Sequence, residues 1–175
     1  ADPDAAIDEQ PQAAEPLIRA PRARRLAEES LIRLCLGETT LLWTLITQDD
    51  GTEEAPARFF TDADFQDPVC NVIWKSLLEH TSQNHEIAGS VVIGEITNEE
   101  AGHLAGTLFI EGHRLLSKEG FDSQEHLAIA CNDLQAAIRQ QTRTTTNNLT
   151  TNYFRKSYKH HEKYKKQRKN TTRTI

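Results

Sequence analysis

Methionine is absent from this 175-residue chain, even at position 1. The chain is therefore expected to be a fragment of a longer reading frame or a processed product. Aromatic residues make up only 6%, so a core has to be assembled mainly from Leu, Ile, Val and Ala. Proline and glycine are sparse away from the N-terminal end and a few turns, which favours a helical domain over a β-sandwich. No run is long and apolar enough to span a bilayer, and the acidic N-terminus is unlike the positively charged start of a secretory signal. Cysteine is limited to Cys35, Cys70 and Cys131, an odd number set far apart. Each falls in an apolar helical pattern, which points to buried free thiols, not disulfides or zinc, and to a reducing cytoplasm.

Catalytic signatures are missing too. There is no Cys-x-x-Cys, no phosphate-cradling Gly-rich loop, and no pair of histidines at the i, i+4 spacing of a metal site. The seven histidines (His80, His85, His103, His113, His126, His160 and His161) fall mostly at helix ends, in loops or in the basic tail, and are expected to be exposed. Asp62, Asp64 and Asp67 read as helix-capping acids more simply than as a divalent-ion cluster. No catalytic residue, metal site, cofactor or small-molecule substrate is assigned.

What is present is a charge asymmetry hidden in the formal net charge of −6. Residues 1–138 carry 9 Lys/Arg against 25 Asp/Glu, a net of −16, whereas residues 139–175 carry 11 Lys/Arg and one acid, a net of +10. Such a body repels nucleic acid at long range, while the tail attracts it, or attracts an acidic partner.

The organisation is legible as six helices. Residues 1–20, rich in Ala, Pro, Asp, Glu and Gln, read as a disordered linker. Residues 21–120 read as a helical bundle, and residues 121–175 as a long helix plus a basic segment. Ala27, Leu31, Leu34 and Cys35 fall on one face of a first helix that stops at Gly37. A second covers residues 39–47. The loop of residues 49–58 leads to Phe59, Phe60 and Phe65. Asp67-Pro68 is an N-cap followed by proline at the first helical position, and opens a third helix to about His80. A fourth, weaker helix covers residues 87–96. Thr97-Asn98-Glu99-Glu100 has the form of a capping box for a fifth, followed by a loop at residues 112–120. Asp122 starts the sixth, in which Leu127, Cys131, Leu134 and Ile138 form a seam. Trp43 and Trp74 sit in apolar stripes and are expected in the core. Residues 142–152 are almost all Thr and Asn, poor helix formers. The expected fold is all-α: about six helices followed by a C-terminal helical hairpin or a partly disordered basic tail.

Three runs carry a resemblance across residues 27–140. They are Ala27-Glu28-Glu29-Ser30-Leu31-Ile32-Arg33-Leu34-Cys35-Leu36, then Phe65-Gln66-Asp67-Pro68-Val69-Cys70-Asn71-Val72-Ile73-Trp74, and the long helix of residues 121–140. The chain resembles the helicase-binding C-terminal domain of bacterial primases of the DnaG type, and its acidic, proline-bearing lead-in looks like the linker after a primase catalytic core. The resemblance implies a non-catalytic cytoplasmic module of the replisome that docks primase on the N-terminal domain of the replicative helicase. It thereby couples RNA primer synthesis to fork unwinding. The zinc- and magnesium-dependent domains of such a transferase lie upstream of the matching region, and none of their motifs occurs here. The end departs from the family pattern, being polar and basic where the family has a leucine-bearing hairpin. Interface candidates are Leu134, Ile138, Arg139, Tyr153, Phe154 and Tyr158. Candidates for holding single-stranded nucleic acid are Arg155, Lys156, Lys159, Lys163, Lys165, Lys166 and Arg168, with tyrosines available to stack on bases. Two alternatives stand beside this reading: the similar N-terminal helical domain of the replicative helicase, and a single-stranded nucleic-acid-binding module acting through its tail.

Overall fold

The protein is represented by a computed structural model that describes residues 15–171 apart from 53 and 56; for residues 154 and 157–171 it describes the backbone alone. Six α-helices occur among the described residues, with no strand: α1 (Arg22–Gly37), α2 (Thr40–Gln48), α3 (Pro68–Gln83), α4 (Gly89–Gly94), α5 (Glu99–Leu116) and α6 (Ser123–Thr171), plus a 3₁₀ turn at Asp62–Asp64. The all-α expectation therefore holds.

The centre of the bundle is α1, which touches all five other helices. Its sequence explains why. Leu31, Ile32, Leu34, Cys35 and Leu36 are all buried, so the second half of the helix is apolar nearly all round and needs neighbours on every side. Two of those neighbours come close enough to require glycine. A Cβ on Gly112 of α5 would lie 2.1 Å from the Arg33 carbonyl oxygen, and one on Gly89 of α4 would lie 2.1 Å from that of Leu36. Gly112, expected in a loop, is instead buried within α5, which continues to Leu116. The glycine is there for close helix packing.

Local starts follow the capping chemistry. The Asp67 carboxylate accepts from Cys70 N–H at 3.0 Å and Pro68 follows it, opening α3 as expected. At α5 the cap is Asn98, accepting from Ala101 N–H at 2.9 Å, and not Thr97; with Ala101 at the third helical position the expected reciprocal box gives way to this single cap bond. Asp122 accepts from Gln124 and Glu125 N–H and starts α6. The fourth helix shrinks to Gly89–Gly94. The three thiols are free and buried.

The two tryptophans part company. Trp74 is fully buried, stacks on Phe65 and donates its ring N–H to the Phe60 carbonyl at 2.9 Å. Trp43 is 39% exposed and stacks on His85 with ring centroids 3.6 Å apart. Leu41, Leu42 and Leu45 already fill the inward face of α2, which leaves Trp43 and Ile46 facing out.

The largest departure lies in α6. Instead of a helical hairpin, the backbone runs as one helix from Ser123 to Thr171 through the Thr/Asn stretch. The hydroxyls of Thr142, Thr144, Thr146, Thr150 and Thr151 each donate to the carbonyl four residues back. That arrangement satisfies them without leaving helical geometry. The expected disorder of residues 1–14 lies outside the described residues. Leu17 packs against the core and residues 19–20 hydrogen-bond to Asp67, so the last part of the expected linker belongs to the fold.

Candidate interaction surfaces and a buried charge cluster

The most polar point of the interior joins the first two sequence runs. Glu28 and Asp67 are both fully buried. Glu28 accepts from Arg24 Nε at 2.8 Å, from Gln66 N–H at 2.6 Å and from Asp67 N–H at 3.1 Å. Asp67 accepts from Arg19 Nε at 2.8 Å and from Ala20 N–H at 2.9 Å besides capping α3. Arg19 also lies 3.5 Å from Glu29 of α1 and 3.5 Å from Glu100 of α5. One guanidinium thus ties the N-terminal arm to α1, α3 and α5.

Electrostatics follow from this geometry. Burial pushes Glu28 above the ordinary carboxylate range, and the Arg24 and N–H hydrogen bonds only partly oppose it. For Asp67 burial also acts upward, but the Arg19 hydrogen bond, with those from Ala20 and Cys70, holds it below the usual range. Burial, reinforced by Asp67, drives the Cys70 thiol well up, so it stays protonated and is a poor nucleophile.

Potential ligand atoms of Glu28, Asp67 and Cys70 lie within 4.8 Å of one another. They do not form a ready cation site. The carboxylate oxygens are already engaged by backbone N–H groups and two guanidiniums, and a metal would need the raised thiol as its anion. The cluster is a structural tie. Its sequence signal is local only at the Asp67-Pro68 cap; the partners Arg19 and Glu28 lie 48 and 39 residues away.

The interface candidates scatter. Leu134 is fully buried and Ile138 packs half-buried against the core; Leu134 is therefore corrected from a docking contact to a core residue, because the seam on α6 is spent on α1. Arg139, Arg155 and Lys156 are exposed and Tyr153 is 72% exposed. The side chains of Phe154, Tyr158, Lys159, Lys163, Lys165, Lys166 and Arg168 lie outside the described residues.

Two concavities escaped the sequence reading, since each needs elements distant in the chain. A groove of about 340 Å³ between α1 and α6 is lined by Ala23, Leu26, Ala27, Ser30, Asp133, Ala136, Ala137 and Gln140. A cleft of about 690 Å³ lies between the N-terminal arm and α5. No helix among the described residues is long and apolar enough to cross a membrane. In comparisons with protein-family models, curated proteins and solved structures, no match was found.

Proposed function

We propose that this chain is a non-catalytic interaction module of the primase C-terminal type, working in the cytoplasm, which docks primase on the N-terminal domain of the replicative helicase. The observation that carries the reading is the contact between two of the three runs that bear the resemblance. Glu28, from the opening Ala-Glu, holds the backbone N–H groups of Gln66 and Asp67 in the Phe-Gln-Asp-Pro turn. Residues 38 and 39 positions apart that carry one resemblance also form one structural unit, which supports reading them together.

With Leu134 in the core, the docking surface moves to exposed residues of α6 beyond the seam: Arg139, next to Ile138, and Tyr153, about 20 Å further along the helix. Binding there would rest on a few apolar anchors with a charged rim, and requires no cofactor. Arg139→Glu and Tyr153→Ala, on a chain whose circular dichroism is unchanged, are expected to weaken helicase binding about tenfold or more. Unchanged affinity in both would remove this face. A second reading is favoured by the exposure of Arg143, Arg155 and Lys156 beside Tyr153: the tail holds single-stranded DNA. It requires affinity that falls steeply with salt and vanishes when residues 142–175 are deleted.

A further inference from the structure

The arm–α5 cleft and the basic tail are opposite in charge, yet α6 carries the tail away from the bundle within one chain. Among the described side chains of α6, Ile138 is the last that packs on the core, and those from Arg139 through Lys156 are exposed. Since a helix rises about 1.5 Å per residue, the residues from 139 to 152 carry the chain roughly 21 Å past the bundle before the aromatic and basic segment of residues 153–169 begins. The helix continues in the same element to Thr171. The positive end is carried away from its own negative body.

The cleft has the opposite character. Leu17 of the arm and Leu104 of α5 are half-buried and supply apolar floor, while Glu15, Glu99 and Glu100 supply negative charge. Arg19 is already committed to Asp67 and to Glu100, so the rim as a whole is short of cations. Residues 153–169 contain Tyr153, Phe154, Tyr158 and Tyr164 among seven lysines and arginines before residue 169 and one at it, against the single acid Glu162. Aromatic anchors suit the floor and ammonium groups suit the rim.

We propose that this cleft receives the basic C-terminal segment of a second copy of the chain, giving head-to-tail self-association. The charge complementarity of body and tail, −16 against +10, supplies the attraction. The contact is heterologous, with a different surface on each partner, so it propagates into chains or closes into a ring instead of stopping at a symmetric dimer.

Sedimentation velocity on the full chain at about 0.05 M and about 0.5 M salt tests this. The account expects a mass that grows with concentration at low salt and falls to that of the monomer at high salt. Two full-length variants separate the partners: Glu15→Lys/Glu99→Lys in the cleft, and Lys→Gln at Lys156, Lys159, Lys163, Lys165 and Lys166 in the tail. Each alone should weaken association by at least about tenfold. Mixed together, they should form a complex that stops at one to one, because each retains the half the other lacks. Wild-type chain that stays monomeric at low salt overturns the proposal. So does association indifferent to the cleft variant, or a mixture that forms no complex. Monomeric protein that instead binds single-stranded DNA through the tail also counts against it.

Discussion

The Glu28 carboxylate in α1 accepts from the backbone N–H of Asp67 at 3.1 Å, and Asp67 in turn caps α3. A side chain of the first helix thereby sets the start of the third. Replacing Glu28 by Ala would leave the N–H groups of Gln66 and Asp67 and the Arg24 guanidinium without their acceptor. Such losses cost about 3–5 kcal/mol where a buried charge is stranded. Glu28→Gln keeps one acceptor oxygen and is expected to lose less than half as much. Urea denaturation of both variants checks the order; equal, small losses would mean the tie is not what holds the turn.

The pH dependence of stability separates the two acids. Asp67 titrates below its ordinary value in the fold, so its contribution is present above about pH 4 and is lost as pH falls through the folded value. Glu28 titrates above its ordinary value; its contribution is greatest below about pH 4.3 and declines as pH rises through the folded value. The stability gap between wild type and Asp67→Asn should therefore close on acidification below pH 4, measured by urea midpoints from about pH 7 to 3. A gap that stays constant would show that Asp67 is not held ionised by Arg19.

Two glycines of one helix offer an internal control. A methyl group on Gly112 would meet the Arg33 backbone at 2.1 Å, whereas one on Gly106 would meet nothing within 4 Å. Gly112→Ala is expected to lower stability by about 1–3 kcal/mol or more, because α1 and α5 must separate. Gly106→Ala should raise it by about 0.5–1 kcal/mol through helix propensity. Thermal melts of the pair give the answer.

These contrasts show what the sequence could convey. Periodicity exposed the inward faces of α1, α3 and α6, because burial of Leu31, Ile73 and Leu134 repeats with the helix. Caps at Asp67 and Asp122 were legible because they act over three residues. Helix crossings were not: nothing local distinguishes Gly112, packed on Arg33, from a loop glycine. Trp43 was misplaced because an apolar stripe does not say which of its members the bundle has room for. The interface suffered most, since the seam that marked Leu134 as a contact marks a core residue equally well. The groove and cleft join residues separated by about a hundred and about eighty positions, beyond any local pattern.

The tryptophan pair can be tested by light. Trp43 is partly exposed and Trp74 fully buried, and these are the two tryptophans of the chain. Acrylamide should quench wild-type fluorescence in two components. Trp43→Phe should remove the accessible one and leave stability within about 1 kcal/mol, as for most surface changes. Trp74→Phe should cost about 1–3 kcal/mol, through lost burial and a stranded Phe60 carbonyl. If Trp43→Phe proves the more damaging, the assignment of the two rings is reversed.

The most direct test of the proposed function is a calorimetric titration of the full chain into the replicative helicase at two salt concentrations, with Arg139→Glu/Tyr153→Ala beside it. The account expects saturable binding at micromolar affinity or tighter that persists at high salt, and a loss of about tenfold or more in the double variant. Absence of binding at either salt concentration, in protein shown to be folded, would contradict it.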